Sequence, residues 1–210
     1  MESKQKLPPI QLDALKEAGN IGAAHAATAL SALLGKKVLL HVPGVSTVSL
    51  NDISELAGGP EQPVAAICLR VDGEVKGMMF FILSVGRANR FIRQLTGDDT
   101  VDFSSPPASE LAISAFNELG NILAGSYLSA LSDFTSLRLH PSVPAAAVDM
   151  AGAIVSSALA EASVTADEVI VIDTVISEEN AELEEVKGHM FLLPDASSRQ
   201  VLLEALGVGT

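Results

Sequence analysis

The sequence predicts an α+β domain made of two similar halves, with about six strands in an antiparallel sheet, two long helices and several shorter ones. Three observations predict this fold class: part of the chain recurs at a fixed offset, helical spacing precedes strand-like runs in each half, and a turn signal joins two of those runs. The 210 residues can bury one core shared by two repeats. We therefore expect a single domain over 1–210, with a pseudo-two-fold relation between repeats at about 9–97 and 106–207.

The repeat is found by comparing the chain with itself. At an offset of 101 residues, ten positions between 17 and 43 are identical to their counterparts without a gap. A second block, which contains Gly77 and Met79, matches at an offset of 111, so the later repeat has ten extra residues, expected within 149–163. The ten identical pairs are Glu17/Glu118, Gly19/Gly120, Asn20/Asn121, Ile21/Ile122, Ala23/Ala124, Ala29/Ala130, Leu30/Leu131, Ser31/Ser132, Val42/Val143 and Pro43/Pro144.

The first repeat begins with a helical pattern. Apolar or small residues recur every three or four positions from 11 to 34, after two prolines that a helix tolerates at its start and before Gly35, a typical stop. The pair Asp72-Gly73 between two apolar runs is typical of a hairpin turn. The predicted elements are a helix over 11–34, strands over 38–42, 64–71 and 75–83, and a helix over 87–95.

The second repeat shows the same order, and a polar connector over 98–108, with Pro106-Pro107 before the next helix, joins it to the first. One helix over 150–162 has no predicted counterpart in the first repeat, and its apolar residues all round favour a core position. Each repeat alone has three strands and one apolar helix face, so the two are expected to share a core. The predicted elements are helices over 109–131, 150–162 and 196–206, and strands over 137–143, 169–176 and 186–193.

Composition and charge exclude several functions. The formal net charge is −13 and the only basic cluster is Lys36-Lys37, which argues against binding to nucleic acid or to an anionic membrane surface. The single cysteine, Cys68, lies in an apolar run and is predicted to be a small buried hydrophobe. The start of the chain is polar and no apolar stretch is long enough to cross a bilayer, so we expect a cytoplasmic protein.

Each long helix carries a carboxylate and a carboxamide that the repeat preserves. Residues spaced i, i+4 and i+7 fall within about one third of the helix circumference, and small residues continue the same stripe. The two sets therefore present a carboxylate beside a carboxamide next to a shallow surface. They are Asp13, Glu17 and Asn20 in the first repeat, and Ser114, Glu118 and Asn121 in the second.

These residues also have a purely structural interpretation. An exposed Glu usually serves solvation, and Asn is a poor helix former that can cap a second helix after a break at Gly19. Most surface positions have diverged between the repeats, as Lys16 and Asn117 illustrate, whereas the Glu and the Asn have not. This retention favours a functional role and leaves a duplicated structural cap as the alternative.

The spacing of these motifs resembles that of the CheC/CheX/FliY family of phosphatases. Both repeats contain the same spaced motif: Asp or Ser, then Glu after three residues, Asn after two more and Pro after twenty-two more. The motif ends at Pro43 in the first repeat and at Pro144 in the second. The phrases at 17–23, 117–127, 149–152 and 189–195 are also similar to CheC-type members, and the likeness covers nearly the whole chain. Two intact motifs favour the CheC type and a monomer over the CheX type, for which one motif and a dimer are expected.

The resemblance implies a chemistry. Members of the family dephosphorylate CheY-phosphate, an aspartyl phosphate held beside a metal ion in the regulator. Asn20 or Asn121 would orient the attacking water, and Glu17 or Glu118 would pair with a lysine of the regulator. The supporting residues Asp13 and Ser114 would be helix-surface contacts or caps, and the two motif prolines would end strands. The resemblance implies no cofactor of the chain's own, because the metal ion, Mg in this reading, belongs to the regulator.

A second partner and a rival function follow from the same resemblance. CheC proteins also bind the receptor-modifying deamidase CheD, and the added helix that starts at Asp149 is a candidate docking site, with Asp149, Met150 and Ile154 as contacts. The rival function is a non-catalytic adaptor that binds CheY-phosphate or CheD without turnover. A metal site is not expected, since none of the four histidines has a paired ligand spacing.

Overall fold

The computed structural model describes residues 7–105, 108–162, 168–178 and 186–207, which form two long helices, four shorter ones and one sheet. No helix among these residues combines the length and apolar character needed to span a membrane. The helices are α1 (Pro9–Leu34), α2 (Ile53–Leu56), α3 (Val85–Thr96), α4 (Glu110–Thr135), α5 (Ala151–Ala162) and α6 (Ala196–Ala205). The strands are β1 (Val38–His41), β2 (Val45–Ser49), β3 (Pro63–Gly73), β4 (Gly77–Ser84), β5 (Leu139–Pro141), β6 (Ala145–Met150), β7 (Glu168–Glu178) and β8 (Val186–Pro194).

The eight strands lie in six rows of one antiparallel sheet. The order is β1-β7-β8-β4-β3-β5, with β2 also paired to β7 and β6 also paired to β3. Short breaks at 42–44 and 142–144 divide each outer row into two strands, and the sequence predicted only the first strand of each row. The α+β class and its antiparallel sheet are confirmed, and the two additional strands continue rows that were predicted to end at the motif prolines.

The outer rows pair across the two repeats. Strands β1 and β2 precede β3 in the chain but both pair with β7, where Val38 lies opposite Glu178 and Val45 opposite Ile172. Strands β5 and β6 in turn pair with β3, and β4 pairs with β8 at the centre. Neither set of strands therefore completes its hydrogen bonding without the other, which accounts for a shared core.

Alternate residues of each strand face two different apolar layers. In β7, Ile170 and Ile172 join the larger cluster, which also contains the buried faces of α1, α3 and α4. Val169 and Val171 join a smaller cluster on the opposite face, which α2 and α5 cover. Side chains alternate along a strand, so a strand covered on both faces must be apolar on both. This explains the nearly continuous apolar runs in β7 and β8.

Glycines bring the long helices close to each other and to the sheet. A methyl group built on Gly22 of α1 would lie 2.8 Å from the Cα atom of Tyr127 in α4. One built on Gly120 would lie 2.5 Å from the Cγ2 atom of Ile67 in β3. Real methyl groups do not approach so closely, so only glycine permits this helix–helix and helix–sheet distance.

The connector between the repeats contributes apolar residues to the core, although its composition is mostly polar. Val101 and Phe103 are buried, and the ring of Phe103 packs at 5.5 Å against that of Phe116 in α4. Asn89 of α3 holds this segment, since its Oδ1 accepts from the Phe103 N–H and its Nδ2 donates to Asp102. Pro106-Pro107 lie outside the described residues.

Two predicted elements differ from the structure. The strand predicted over 137–143 is only Leu139–Pro141, because its downstream residues lie in the break before β6. The hairpin predicted at Asp72-Gly73 is present, but β3 continues through Gly73 and residues 74–76 make the turn. Gly73 has a φ of 119°, which explains why a glycine occurs at this bend.

The ten extra residues of the second repeat are not confined to 149–163. Residues 151–167 join β6 to β7 where 50–62 join β2 to β3, and 179–185 join β7 to β8 where 74–76 join β3 to β4. The extra length is therefore divided between two connections.

The prediction that α5 has no counterpart is wrong. A 3₁₀ turn (Leu50–Asp52) and α2 occupy the corresponding place in the first repeat. Ile53 of α2 and Ile154 of α5, which are 101 residues apart, lie in the same apolar cluster. The first repeat thus has a shorter form of the same helix, which the apolar period of so short a segment did not reveal.

We expect Gly22→Ala to lower the free energy of unfolding by about 1–3 kcal/mol, because the added methyl group meets the backbone of Tyr127. Gly125→Ala on α4 is the matched control, since a methyl group there meets nothing within 4 Å. This control should gain about 0.5–1 kcal/mol from helix propensity. Urea unfolding of both variants measures the difference, and equal effects would contradict the close approach of α1 and α4.

Candidate functional site

The Glu-Asn pairs lie on continuous helices. Helix α1 runs without interruption from Pro9 to Leu34, so the alternative in which Gly19 ends one helix and Asn20 caps another is wrong. Asp13 and Glu17 are exposed and Asn20 is half-buried, whereas all three residues of the second set are exposed. Both helices therefore present the predicted stripe to solvent.

The neighbouring glycine explains where each Asn lies. Gly19 and Gly120 are buried, and a methyl group on Gly19 would touch the Cγ2 atom of Val42 at 3.4 Å. The next residue along a helix is turned by about 100°, so Asn20 and Asn121 come to the edge of the helix–sheet contact. The Gly-Asn pair thus combines a close contact with the sheet and a polar group beside it.

The carboxamide of Asn20 is held by the main chain. The Val42 N–H donates to Asn20 Oδ1 at 3.2 Å, in the break between β1 and β2. Val42 is 2% exposed and its side chain faces Gly19, so the residue that donates this hydrogen bond is buried. One amide oxygen lone pair and the Nδ2 group of Asn20 remain for other partners.

The carboxamide of Asn121 is held differently. Its Nδ2 donates to Glu118 Oε2 at 3.4 Å on the exposed face of α4, which leaves Oδ1 turned to other partners. Val143, the counterpart of Val42, is 88% exposed and points away from the core. In this break, Ser142 exchanges hydrogen bonds with the backbone of Arg70 instead. The two repeats therefore preserve the same residues in different surroundings.

A shallow depression of about 440 Å³ adjoins the second pair. Glu118, Asn121, Ser114 and the first-turn carboxylate Glu110 line it, together with Asn117 and two apolar residues. The lining carries two carboxylates and no cation, so it favours a basic group of a partner. The carboxamide and the carboxylate lie side by side at its rim, where a docked surface would reach both.

Not every repeated polar residue in the stripe is free to act. The hydroxyl of Ser31 accepts from the Val38 N–H at 2.9 Å, and that of Ser132 accepts from the Leu139 N–H at 3.2 Å. These two serines tie each long helix to the next strand, which explains their retention. Asn121 makes no such backbone bond among the described residues, so structure does not explain its retention.

Asp13 and Ser114 are not caps. Pro8 is the N-cap of α1, and Ser109 caps α4 through its hydroxyl, which accepts from the Ala112 N–H at 3.2 Å. Asp13 and Ser114 lie one turn further in and are exposed, so the surface-contact alternative remains for them. The sequence did not distinguish Ser109 as the cap, although its position before an acidic residue is a typical signal.

The predicted CheD contacts divide into exposed and buried residues. Asp149 is exposed and Met150 is 53% exposed at the end of β6. Ile154 is 7% exposed and packs with Ile53 in the smaller cluster, so its side chain is not available to a partner and its assignment as a contact is wrong. Leu56 of α2 is 40% exposed and was not singled out from the sequence.

One ionisable pair was not found from the sequence. His189 Nδ1 lies 2.9 Å from Asp173 Oδ1, because the two residues are directly opposite each other in β8 and β7. Only the strand register could have revealed this pair. Among the described residues, no group of three or more His, Cys, Asp or Glu side chains is arranged to hold a metal ion.

The chain is similar to known proteins. The CheC-like family matches residues 10–47 and 111–147, which contain both Glu-Asn pairs and both motif prolines. A Bacillus subtilis (strain 168) protein named CheY-P phosphatase CheC is 45% identical over 197 residues, 94% of each chain. Flagellar motor switch phosphatase FliY of the same organism is 30% identical over 138 residues, 66% of this chain and 35% of its own.

The fold is found among solved structures as well. The crystal structure of Thermotoga maritima FliY superimposes with a TM-score of 0.75 at 19% identity, covering 96% of this chain and 98% of that one. At this identity the likeness concerns the fold, and it agrees with the α+β architecture described above. The identity to Bacillus subtilis CheC over nearly the whole of both chains shows that this chain belongs to the CheC-like family.

Proposed function

We propose that this chain is a phosphatase that hydrolyses the aspartyl phosphate of a CheY-type response regulator. The observation that carries the proposal is the pair of solvent-facing Glu-Asn sets, in a chain 45% identical to a protein named CheY-P phosphatase. Each set is on a rigid helix, which suits a group that must enter another protein's active site. One chain carries both sets, so we propose that a monomer is sufficient and that it acts in the cytoplasm with its regulator.

The chemistry assigned to the Asn residues is the positioning of water. An acyl phosphate already has a good leaving group, so hydrolysis needs an oriented water more than a strong base. A carboxamide oxygen accepts a hydrogen from that water and aligns its lone pair with the phosphorus atom. Asn121 is exposed and its hydrogen bond to Glu118 uses Nδ2 rather than Oδ1, and Asn20 retains one oxygen lone pair. The metal ion beside the phosphate would be held by the regulator.

The role assigned to Glu17 and Glu118 is docking. Each is one turn before its Asn and exposed, so a lysine of the regulator that pairs with the Glu fixes the Asn over the phosphate. The absence of a cation from the lining of the depression at Glu118 supports this role. Asp13 and Ser114, one turn further back, would extend the same contact.

We also propose that the surface at the end of β6 binds the deamidase CheD. Asp149 and Met150 are both exposed at the end of β6, which leads directly into α5, and α5 packs against α2. The buried Ile154 is left out of this set of contacts.

We expect Asn20→Ala/Asn121→Ala to abolish phosphatase activity, because neither site can then orient water. The decay of phosphorylated CheY with catalytic amounts of protein measures this, and kcat/KM should fall at least about 100-fold. The single variants should each retain the activity of the other site. Thr28→Ala/Ser129→Ala, an exposed pair two turns further along both helices, is the matched control and should match the wild type.

Two results of that assay would change the assignment. If the double Asn variant still accelerates decay, the water-positioning role is wrong. If the wild type binds the phosphorylated regulator without accelerating its decay, with and without CheD, the adaptor function replaces the phosphatase.

We expect Glu118→Gln, made in the Asn20→Ala protein so that only the second site acts, to raise KM about tenfold with little change in kcat. The physical reason is the loss of a charge pair with the regulator, so the salt dependence of kcat/KM should also weaken. Steady-state kinetics at two ionic strengths measures both effects. A fall in kcat with KM unchanged would instead assign Glu118 to the chemical step.

We expect Asp149→Lys to weaken CheD binding by about tenfold or more while phosphatase activity is retained, because reversal of this charge leaves a cation on the docking surface. Titration calorimetry with CheD measures the affinity. Glu204→Lys on α6, another exposed charge reversal, is the control. Equal affinities of both variants would place the CheD surface elsewhere.

A further inference from the structure

Pro43 lies in the break between β1 and β2, next to the residue that holds Asn20. Its ring is exposed, so packing does not explain its presence. The preceding residue, Val42, donates its N–H to Asn20 Oδ1 at 3.2 Å. Pro43 is therefore the residue immediately after the backbone donor that binds Asn20.

A proline restricts the residue before it. The Cδ group of the ring collides with an α-helical conformation at that residue and holds it in the extended region. For Val42, this restriction fixes the direction of the N–H that meets Asn20. The side chain of Val42 is buried against Gly19. Two contacts therefore restrain the donor: the packing of its side chain and the ring of Pro43 that follows it.

The second repeat provides an internal comparison. Pro144 is buried rather than exposed, and Val143 before it is turned outward at 88% exposure. Ser142 bonds the neighbouring strand there, and the side chain of Asn121 bonds Glu118. Pro144 therefore packs into the fold of the second repeat, whereas Pro43 in the first repeat is exposed and directly follows the residue that donates to Asn20.

We propose that Pro43 is a positioning residue for Asn20, acting through the Val42 N–H. The inference rests on the proposed role of Asn20 in orienting water. It assigns to this exposed proline control over the orientation of the first-site carboxamide. Replacement of the ring leaves Asn20 in place but removes the restriction that the ring places on the backbone of Val42, so the carboxamide loses its fixed direction.

The test uses the full chain with one site at a time. Pro43→Ala and Pro43→Gly are made in the Asn121→Ala protein, in which only the first site acts, and in the Asn20→Ala protein, in which only the second acts. In the first background, kcat should fall by about 2- to 12-fold, the equivalent of one hydrogen bond, and more for Gly than for Ala. KM should not change, and the second background should be unaffected.

Hydrogen exchange of the Val42 amide, followed by NMR, gives a readout that is independent of activity. Exchange should accelerate from Pro43 to Ala to Gly in parallel with the fall in kcat. The proposal is overturned if exchange accelerates without loss of first-site kcat, if exchange does not change, or if both backgrounds lose activity equally. A failure of the proposed function would show earlier, in an Asn121→Ala parent that is no faster than the double Asn variant.

Discussion

The distance between the two long helices and the sheet is the constraint on which the site depends. Gly22 lets α1 approach the backbone of α4, and Gly120 lets α4 lie directly on β3. Any larger residue there would separate the layers, since protein interiors are close-packed. Asn20 directly follows Gly19, which faces Val42, and Asn121 directly follows Gly120. Each Asn side chain therefore emerges at the edge of the helix–sheet contact, where the backbone of the chain or a docked protein can reach it.

The internal duplication has preserved residues more strictly than their environments. Asn20 accepts a hydrogen bond from the backbone between β1 and β2, while the side chain of Asn121 donates to Glu118 on its own helix. The serines at 31 and 132, in contrast, make the same structural bond in both repeats. Retention in a repeat therefore indicates either shared structure or shared chemistry, and only the contacts of each residue separate the two.

Local patterns predicted most of the helices, six of the eight described strands and the Glu-Asn stripe, whose exposure only the structure shows. They could not reveal β2 and β6, because a short strand of mostly small residues soon after a proline shows no clear apolar alternation and is specified by its pairing with β7 or β3. The same limit applies to the His189–Asp173 pair and to the burial of Ile154. These features depend on register and on contacts between distant segments, which one sequence does not display.

The exchange of outer strands has a consequence for synthesis of the chain. When the first half has left the ribosome, α1 and the β3–β4 hairpin can form, but β1 and β2 have no partner until β7 follows. Pairing over such a long separation is slow, and unpaired strand edges are prone to associate with other chains. The nascent half therefore exposes strand edges for longer than would the first of two independent domains in tandem, which pairs its own strands.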